Sequence, residues 1–337
     1  MRVVVIGGTI FVGRAVVEEL VAAGHDVMVV HRGQHEPDDL PEVEHLHVPR
    51  LELAGRERDL NAFRPDAVLD ATAGVAAHAD AVLEVMGDWR LLALSSMDVY
   101  RAYGSLNAGT LSDGAPLDET SPVREERYPY RGEIPGMDNY EKLDVEERYL
   151  AREGTVCRLP IVYGPRDYQR REWPVLLRIV SGRPQIPVGA GSWMCSRGSC
   201  DELARGIRLA LEADVAVGEV FNLCEWPVLP VRMWWDEVVR AAGDVTGHHA
   251  ELVPVPEHLL PDDLQMGAAQ AQHLMVSPTK AHSLLGWAHV DPLGAEGPVV
   301  ASVAWHLANP PNHEAEVPSF AADEAALKAA AAIVAEE

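Results

Sequence analysis

The sequence predicts an α/β fold in which a doubly wound parallel sheet is followed by a smaller C-terminal α+β lobe. Three observations predict it: apolar strands alternate with helical patterns in the first half of the chain, the first strand runs into a glycine-rich turn, and the alternation becomes irregular after Pro165. A chain of 337 residues is long enough for one large core with such a lobe. We assign residues 1–165 to the core, residues 166–310 mainly to a lobe interleaved with it, and residues 311–337 to an acidic, alanine-rich helical tail.

The elements follow from the apolar pattern. A strand at residues 3–6 leads to a helix that places Ala15, Val16, Leu20 and Val21 on one face and ends at Gly24. Further strands of the sheet are predicted at residues 26–30, 43–48, 67–69, 91–94 and 155–159. In the lobe, helices are predicted at residues 201–212 and 232–242, with a strand at 219–223 between them. Residues 101–139 are rich in proline, glycine and charge and have no clear period, which predicts a lid over the site.

The composition argues against several classes of function. The chain carries 28 Lys and Arg against 52 Asp and Glu, a net charge of −24, so nucleic acids and anionic membranes are poor partners. The first apolar run is the strand at residues 3–6 and not a secretory signal, and no apolar stretch is long enough to span a membrane. The four cysteines lack the spacing of a zinc site, which predicts reduced thiols, no metal site and a cytoplasmic location; they are Cys157, Cys195, Cys200 and Cys224.

A dinucleotide site is predicted at the glycine-rich turn. Gly7 allows a sharp reversal after the strand, and the helix that begins near Phe11 directs free N–H groups and the positive end of its dipole at a pyrophosphate. The residues expected to contact the nucleotide here are Gly7, Thr9, Ile10, Phe11, Val12 and Gly13.

The end of the second strand bears on the choice of nucleotide. About 18 residues beyond Gly13, where an acidic side chain would hold the ribose 2′-hydroxyl of NAD, the chain has His31 and Arg32. Because a guanidinium binds a phosphate bidentately, NADP is predicted. NAD is the alternative, if Arg32 only stacks on the adenine.

Four landmarks together indicate a family. Besides the glycine turn, they are Ser95-Ser96-Met97-Asp98-Val99-Tyr100 after the fifth strand, Tyr140 at a predicted helix start, and Arg158-Leu159-Pro160-Ile161-Val162-Tyr163-Gly164-Pro165 after the sixth strand. Over about residues 1–310 the chain resembles the extended short-chain dehydrogenase/reductase superfamily, which includes the epimerases and dehydratases of nucleotide sugars and has a Rossmann fold. It is similar to an atypical branch in which the middle glycine of GxxGxxG is replaced, here by Ile10.

The resemblance implies a catalytic group with one departure. Ser96 matches the residue that polarises the substrate oxygen, and Tyr140 matches the tyrosine that exchanges its proton. The family lysine four residues later is Asp144, which would raise the pKa of the tyrosine or accept hydrogen bonds from ribose hydroxyls. Lys142 is expected about 200° around the helix from Tyr140, too far to replace that lysine. Asp98 matches a proton-abstracting glutamate of the dehydratases; the alternative is an Asp that only fixes the following turn.

The resemblance also implies contacts around these groups. Beyond the glycine turn, the nucleotide is expected to contact Asp70, Ala71, Thr72, Ala73, Ser95, Pro160 and Val162. The substrate is expected to contact Met97, Tyr100, Ile161, Arg170 and Arg197. Ile161 stands where many relatives have an asparagine, so a polar contact to the substrate is lost and the arginines are candidates to replace it.

These matches imply an NAD(P)-dependent, epimerase/dehydratase-like enzyme acting on a hydroxylated small molecule, such as a sugar derivative or specialised metabolite. An NADPH-dependent ketone reductase is the enzymatic alternative, and Asp144 leaves open a non-catalytic dinucleotide-binding protein. RNA binding, suggested by members of the atypical branch, is opposed by the net charge. A homodimer is expected through helices at residues 75–87 and 140–152.

Overall fold

A computed structural model of the protein describes residues 1–266, 272–311 and 319–336. Within these ranges the strands are β1 (Arg2–Ile6), β2 (Asp26–His31), β3 (Glu44–His47), β4 (Ala67–Asp70), β5 (Arg90–Ser96), β6 (Thr155–Leu159), β7 (Ile161–Tyr163), β8 (Gln185–Val188), β9 (Arg197–Ser199), β10 (Val220–Asn222) and β11 (Glu251–Pro254). The helices of the same ranges are α1 (Phe11–Ala22), α2 (Glu57–Phe63), α3 (Ala76–Glu84), α4 (Arg101–Asn107), α5 (Lys142–Leu150), α6 (Trp173–Val180), α7 (Cys200–Glu212), α8 (Val231–Thr246), α9 (Thr279–Leu285), α10 (Pro298–Ala308) and α11 (Ala321–Glu336).

The central sheet has seven parallel strands in the order β10-β6-β5-β4-β1-β2-β3. The chain winds from β1 outward to β3 and then returns to β4 on the other side of β1, so the strand order reverses between β1 and β4. Ligands of doubly wound sheets bind at the carboxyl ends of the strands flanking such a reversal. The predicted fold class is confirmed, and the glycine turn after β1 lies at the reversal.

Alternating residues of each strand supply two separate cores. Val3, Val5 and Val29 face α1 and α7 on one side of the sheet. Val4 and Ile6 face the other side, where α2 and α3 complete the core. Parallel strands covered on both faces read as continuous apolar runs, which is why the sequence pattern predicts the strands closely.

The C-terminal lobe packs a second core beside the sheet. Leu176 of α6, Val238 of α8 and Val303 of α10 meet there, with the β8 and β11 pair alongside. The chain also returns to the main sheet from the lobe, because β10 pairs with β6 at the sheet edge.

The structure adds detail to two of the predicted segments. Residues 101–139 begin with α4 and are anchored along their length: Leu117 pairs with Val276 and is buried, and the Arg124 guanidinium is buried too. In the tail, α11 is the expected alanine-rich helix and packs Ala326 against Leu260. In the described ranges, none of the helices combines the length and the apolar character needed to cross a membrane.

Candidate active site

The turn after β1 is closed to side chains. A Cβ at Gly13 would lie 2.1 Å from the Gly7 carbonyl oxygen, and one at Gly7, where φ is +87°, would lie 2.4 Å from Cγ2 of Thr72. A Cβ at Gly8 would lie 2.6 Å from Cγ2 of Val17. Gly13 therefore lets the start of α1 approach the turn at backbone distance, while Gly7 and Gly8 leave room for the side chains of Thr72 and Val17.

The first turn of α1 is open to an anion. Ile10 precedes the helix with an extended backbone, no side chain caps the helix, and its first turn has no acidic residue. The free N–H groups and the helix dipole favour a negative group in front of Ile10, whose side chain is 48% exposed. Thr9, Phe11 and Gly13 are buried behind it and Val12 is half-buried. This arrangement fits a dinucleotide pyrophosphate.

The loop after β4 is held from below by a buried ion pair. Asp70 is fully buried, accepts hydrogen bonds from Arg50 (2.7 Å) and from the Tyr149 hydroxyl (2.7 Å), and also accepts from the backbone N–H groups of Thr72 and Ala73. Burial alone would raise the pKa of Asp70, but the Arg50 guanidinium outweighs it and the pKa is lowered. Asp70 thus supports the loop and has no surface of its own to offer a nucleotide, unlike the exposed Thr72 and half-buried Ala71.

The two residues predicted to select the nucleotide point in different directions. Arg32 is exposed just beyond the end of β2. His31 is buried, and its ring lies 4.6 Å from that of His47 and 5.1 Å from that of His45, centroid to centroid. The exposed guanidinium therefore remains as the candidate group for the ribose.

The structure brings Ser96, Asp98 and Tyr140 together beyond the end of β5. The Tyr140 hydroxyl donates to Oδ2 of Asp98 over 3.0 Å, and the Asp98 backbone N–H donates to Oγ of Ser96 over 3.2 Å. Tyr130, from the segment before α5, donates its hydroxyl to the same Oδ2 over 2.9 Å. The sequence pattern did not single out Tyr130, because its loop has no period that would place it.

Burial raises the pKa of both partners of this group. It raises the pKa of Asp98, against the opposing field of Arg124, whose Nη2 lies 3.9 Å from Oδ1. Burial and the Asp98 carboxyl raise the pKa of Tyr140 well above its ordinary value, while hydrogen bonding with Ser96 acts in the opposite direction. Tyr140 is therefore a neutral phenol over the whole physiological pH range.

The start of α5 corrects the expectation about Lys142 and Asp144. Tyr140 precedes the helix, which begins at Lys142 and is capped by the Glu141 side chain accepting from the Leu143 N–H. The predicted angle of about 200° between Tyr140 and Lys142 assumed that both residues lie on one helix. Because Tyr140 lies outside α5, that angle does not apply.

The ammonium group of Lys142 lies inside the site. It is buried, and Nζ donates to the carbonyl oxygens of Ala73 (2.6 Å) and Leu94 (2.8 Å), near the carboxyl ends of β4 and β5. Burial lowers its pKa. Asp144 instead pairs with Arg127 (3.0 Å) towards the surface. The chain thus has a lysine at this end of the sheet, and Asp144 does not occupy its place.

Three predicted contact residues are buried in the structure. Met97 and Tyr100 are fully buried, and the Tyr100 hydroxyl donates to Asn222 (2.8 Å), so their contact with the substrate stays a prediction. Ser95 is also buried and donates to Glu146, which pairs with Arg158. The alternation of side chains along β5 explains the burial of Ser95, because Ser95 and Ser96 point to opposite faces of the sheet. Pro160 and Val162 are half-buried on either side of Ile161.

A cavity of about 390 Å³ lies in the C-terminal lobe, next to β7, and its lining does not include Ser96, Asp98 or Tyr140. Ile161, Arg170 and Arg197, all predicted substrate contacts, line it. Burial lowers the pKa of Arg197, whose guanidinium lies 4.9 Å from the centre of the Trp234 ring. Arg171 and Trp235, which the sequence offered as candidates for this pocket, also line it. Arg232, near the start of α8, lines it as well and was not predicted from the sequence.

A cluster outside this site also escaped the sequence-based prediction. His31, Glu36, His45 and His47 bring one nitrogen or oxygen atom each within 4.8 Å of one another. Its sequence signal is the His-x-His pair of His45 and His47 on a short strand, which the spacing of the cysteines does not indicate.

Comparisons with known proteins agree with this architecture. Residues 3–224 match the family model described as the NAD dependent epimerase/dehydratase family. A 2'-dehydrokanamycin reductase of Streptomyces kanamyceticus is 30% identical over 258 residues, which cover 72% of this chain and 67% of that protein. The chloroplast stem-loop binding protein of 41 kDa b of Arabidopsis thaliana is 26% identical over 309 residues, covering 85% and 74%.

Solved structures show the same fold. A UDP-glucose 4-epimerase of Thermotoga maritima superposes with a TM-score of 0.66 at 22% identity, over 91% of this chain and 99% of that one. A dTDP-glucose 4,6-dehydratase of Bacillus anthracis, solved in complex with NAD, superposes with a TM-score of 0.67 at 15% identity, over 92% and 97%.

Proposed function

The chain belongs to the NAD-dependent epimerase/dehydratase family, and from this premise we propose that it is an NAD(P)H-dependent reductase of a ketone in a hydroxylated small molecule. The observation that carries the proposal is the protonated Tyr140 phenol, which lies against Asp98 and next to Ser96 at the carboxyl end of β5. A neutral phenol is the form that gives a proton to a carbonyl oxygen. The oxidative direction needs a phenolate, which burial and the neighbouring carboxyl disfavour here.

The roles of the residues follow from their positions. A bound nicotinamide supplies the hydride that reduces the carbonyl carbon. Ser96 donates a hydrogen bond to the carbonyl oxygen, and Tyr140 gives that oxygen its phenolic proton, so that the ketone becomes an alcohol. Asp98 accepts the hydrogen bond of the Tyr140 hydroxyl and so positions the phenol, which is reprotonated from solvent after the transfer. The Lys142 ammonium fixes the loop after β4 to β5, beside the nucleotide cleft.

The cavity supports a substrate with an anionic group. Four arginines line it, Arg170, Arg171, Arg197 and Arg232, against two acidic residues, Glu257 and Asp263. Asp263 is already paired with Arg178 at 2.7 Å. Guanidinium groups beside a tryptophan ring favour a phosphate or carboxylate on a molecule with an apolar face. The 30% identical relative, named a 2'-dehydrokanamycin reductase, supports the reductive chemistry but not the identity of the substrate.

The second candidate function is a redox-neutral epimerisation or dehydration. One observation favours it: within the described part of the chain, Oδ1 of Asp98 is buried without a hydrogen-bond partner. Such an oxygen can remove the proton next to a transient ketone once the carboxyl is ionised. The non-catalytic alternative loses its main support, because Asp144 does not take the place of the buried lysine.

NADP remains the proposed nucleotide and NAD the alternative. The exposed Arg32 guanidinium follows β2 directly, at the position that meets the adenosine ribose in doubly wound folds.

The test is an assay of the purified chain with NADPH, or NADH, and a panel of hydroxyketones that carry a phosphate, a carboxylate or no charge. We expect stoichiometric loss of reduced nucleotide with an anionic ketone. Conversion of hydroxylated sugars or their derivatives without net change in nucleotide would favour the second candidate. Nucleotide binding without any turnover across both panels would contradict the enzymatic proposal.

A further inference from the structure

Three histidines and a glutamate meet at the edge of the central sheet. His31 ends β2, His45 and His47 lie on the edge strand β3, and Glu36 lies in the connection between these strands. The parallel register pairs His31 with His47 and Val29 with His45. Residues two apart on a strand share a face, so the three imidazoles lie on one face while Leu46 is buried on the other.

The ligand atoms are spaced as a small ion requires. Nε2 of His31 lies 2.9 Å from Nδ1 of His45 and 3.5 Å from Oε2 of Glu36. The same Oε2 lies 2.7 Å from Nε2 of His47, and Oε1 lies 3.8 Å from Nε2 of His45. A single ion takes one atom from each residue, and such a set of four atoms lies within 4.8 Å here. Bonds of about 2.0–2.1 Å from a tetrahedral ion separate its ligand atoms by about 3.3 Å, so small side-chain shifts would complete the site.

We propose that His31, Glu36, His45 and His47 bind one divalent transition-metal ion, for which Zn²⁺ is the best match. Three imidazoles and a carboxylate are ligands that zinc accepts, whereas Ca²⁺ and Mg²⁺ require mainly oxygen ligands. Four protein ligands leave no position for a substrate, which is typical of a structural site. The ion would fasten the connection between β2 and β3, including Arg32, to the sheet edge.

A bound ion explains the convergence of these four side chains better than the hydrogen bonds among them. Three imidazole rings have centroids 4.6, 5.1 and 6.1 Å apart, and a single carboxylate faces them. The direct contacts join these groups only in pairs, His31 with His45 and His47 with Glu36. A divalent cation instead uses the lone pairs of all three rings at once.

The test uses the full chain without a histidine tag, stripped with a chelator and dialysed. Zn²⁺ is titrated by calorimetry and Co²⁺ by its visible absorption, which reports tetrahedral geometry. We expect one ion per chain, an affinity in the micromolar range or tighter, and a thermal midpoint that rises with bound zinc.

Two variants and one control locate the site. The double variant H45N/H47N is expected to lose about 100-fold or more in zinc affinity, since loss of supporting contacts alone costs about 10–100-fold. Glu36→Gln, in the exposed connection, is the second variant and gives a readable result if the double variant does not fold. His35→Asn is the matched control, because His35 is exposed beside Glu36 and outside the cluster.

The proposal is overturned if the stripped chain binds no stoichiometric zinc, or if the variants and the His35→Asn control bind it equally well. The measurement needs no nucleotide or substrate, so its outcome is independent of the proposed enzymatic function.

Discussion

Among single residues, Tyr140 and Tyr130 present a direct comparison. Both hydroxyls donate to Oδ2 of Asp98, over 3.0 and 2.9 Å. We assign the proton donation to Tyr140, because it is the tyrosine that matches the proton-exchanging residue of the family. Tyr130 would then act on the substrate only through Asp98.

Substitution of the two tyrosines should separate these roles. Tyr140→Phe is expected to lower kcat by about 10²–10⁴-fold, the usual contribution of a positioned acid, and to leave the nucleotide affinity unchanged. Tyr130→Phe removes a hydrogen bond to the same oxygen and is expected to lower kcat by less than about 10-fold, because one neutral hydrogen bond contributes about 0.5–1.5 kcal/mol. Equal losses in steady-state kinetics would contradict the assignment of Tyr140.

The sequence predicts Ser96, Asp98 and Tyr140 as a group because each follows a recognisable strand or precedes a helix. The sequence does not show whether Lys142 or Asp144 reaches the site. That depends on where α5 begins, and the helix starts at Lys142 because Glu141 caps it. The burial of Met97 and Tyr100 was not predicted for a related reason: the short helical turn after β5 rotates them into the core.

Among the elements, the turn between β1 and α1 is the one whose backbone geometry is most constrained. A Cβ at Gly13 would meet a backbone oxygen, which cannot move aside as a side chain can. Gly24, which follows the same helix, has φ of +83° but no atom within 4 Å of an added Cβ. Glycine is therefore required at position 13 for lack of space, and is favoured at position 24 only by the backbone conformation.

Gly13→Ala is therefore expected to weaken nucleotide binding by at least about 10-fold, because the turn must open to admit the methyl group. Gly24→Ala is expected to cost about 1 kcal/mol of unfolding free energy and to leave nucleotide binding unchanged. Calorimetric titration of both variants with NADPH, together with urea denaturation, measures the two effects. Similar affinity losses in both variants would show that the turn is not the nucleotide site.

The loop after β4 depends on the buried pair of Arg50 and Asp70. Arg50→Met leaves the Asp70 carboxylate buried without its cation, and we expect a loss of about 3–5 kcal/mol of unfolding free energy. Arg56→Met removes an exposed ion pair with Asp59 and is expected to cost at most about 1 kcal/mol. Urea denaturation compares them, and the double variant R50M/D70N should be more stable than R50M. Equal costs for R50M and R56M would contradict the structural role of the pair.

The inner strands, such as β1 and β5, were predictable from sequence because both faces are covered and each carries a continuous apolar run. The packing of residues 101–139 was not predictable. Their anchors, such as the pairing of Leu117 with Val276, come from residues far apart in the chain, and a local pattern carries no record of them.

For the whole molecule, a buried pair in the lobe bears on stability against pH. Glu172 and His306 are fully buried, with Oε2 and Nε2 3.5 Å apart. Burial raises the pKa of Glu172 from 4.5 to about 7 and lowers the pKa of His306 from 6.5 to about 4. Between pH 4.5 and 7 the folded state thus holds a proton on Glu172 that the unfolded state has lost, so this carboxyl makes the protein less stable as the pH rises. His306 acts oppositely, because its contribution is lost as the pH falls from 6.5 to 4.

Glu172→Gln should remove one of these two opposing effects. The unfolding free energy of the variant minus that of the wild type is expected to rise by up to about 1.4 kcal/mol per pH unit between pH 4.5 and 7. Glu251→Gln, at an exposed position, is the matched control. Urea denaturation across this range measures the difference, and a flat difference for Glu172→Gln would contradict the burial of an uncharged carboxyl.

The overall charge and assembly could be anticipated only in part. A net charge of −24 disfavours the binding of polyanions by electrostatic repulsion. One relative of the chain is nevertheless named a stem-loop binding protein. The helices expected to form the homodimer exist as α3 and α5 and pack against each other within the chain. The dimer itself stays a prediction, because a single chain does not reveal what its outer helical surfaces meet.

The central claim is that the turn between β1 and α1 binds a nicotinamide dinucleotide for reductive chemistry. Its most direct test is a calorimetric titration of the purified chain, stripped of nucleotide, with NADPH, NADP, NADH and NAD. We predict micromolar or tighter binding, strongest for the nucleotides with a 2′-phosphate because of Arg32. Absence of binding by all four nucleotides would contradict the claim and with it the proposed reduction.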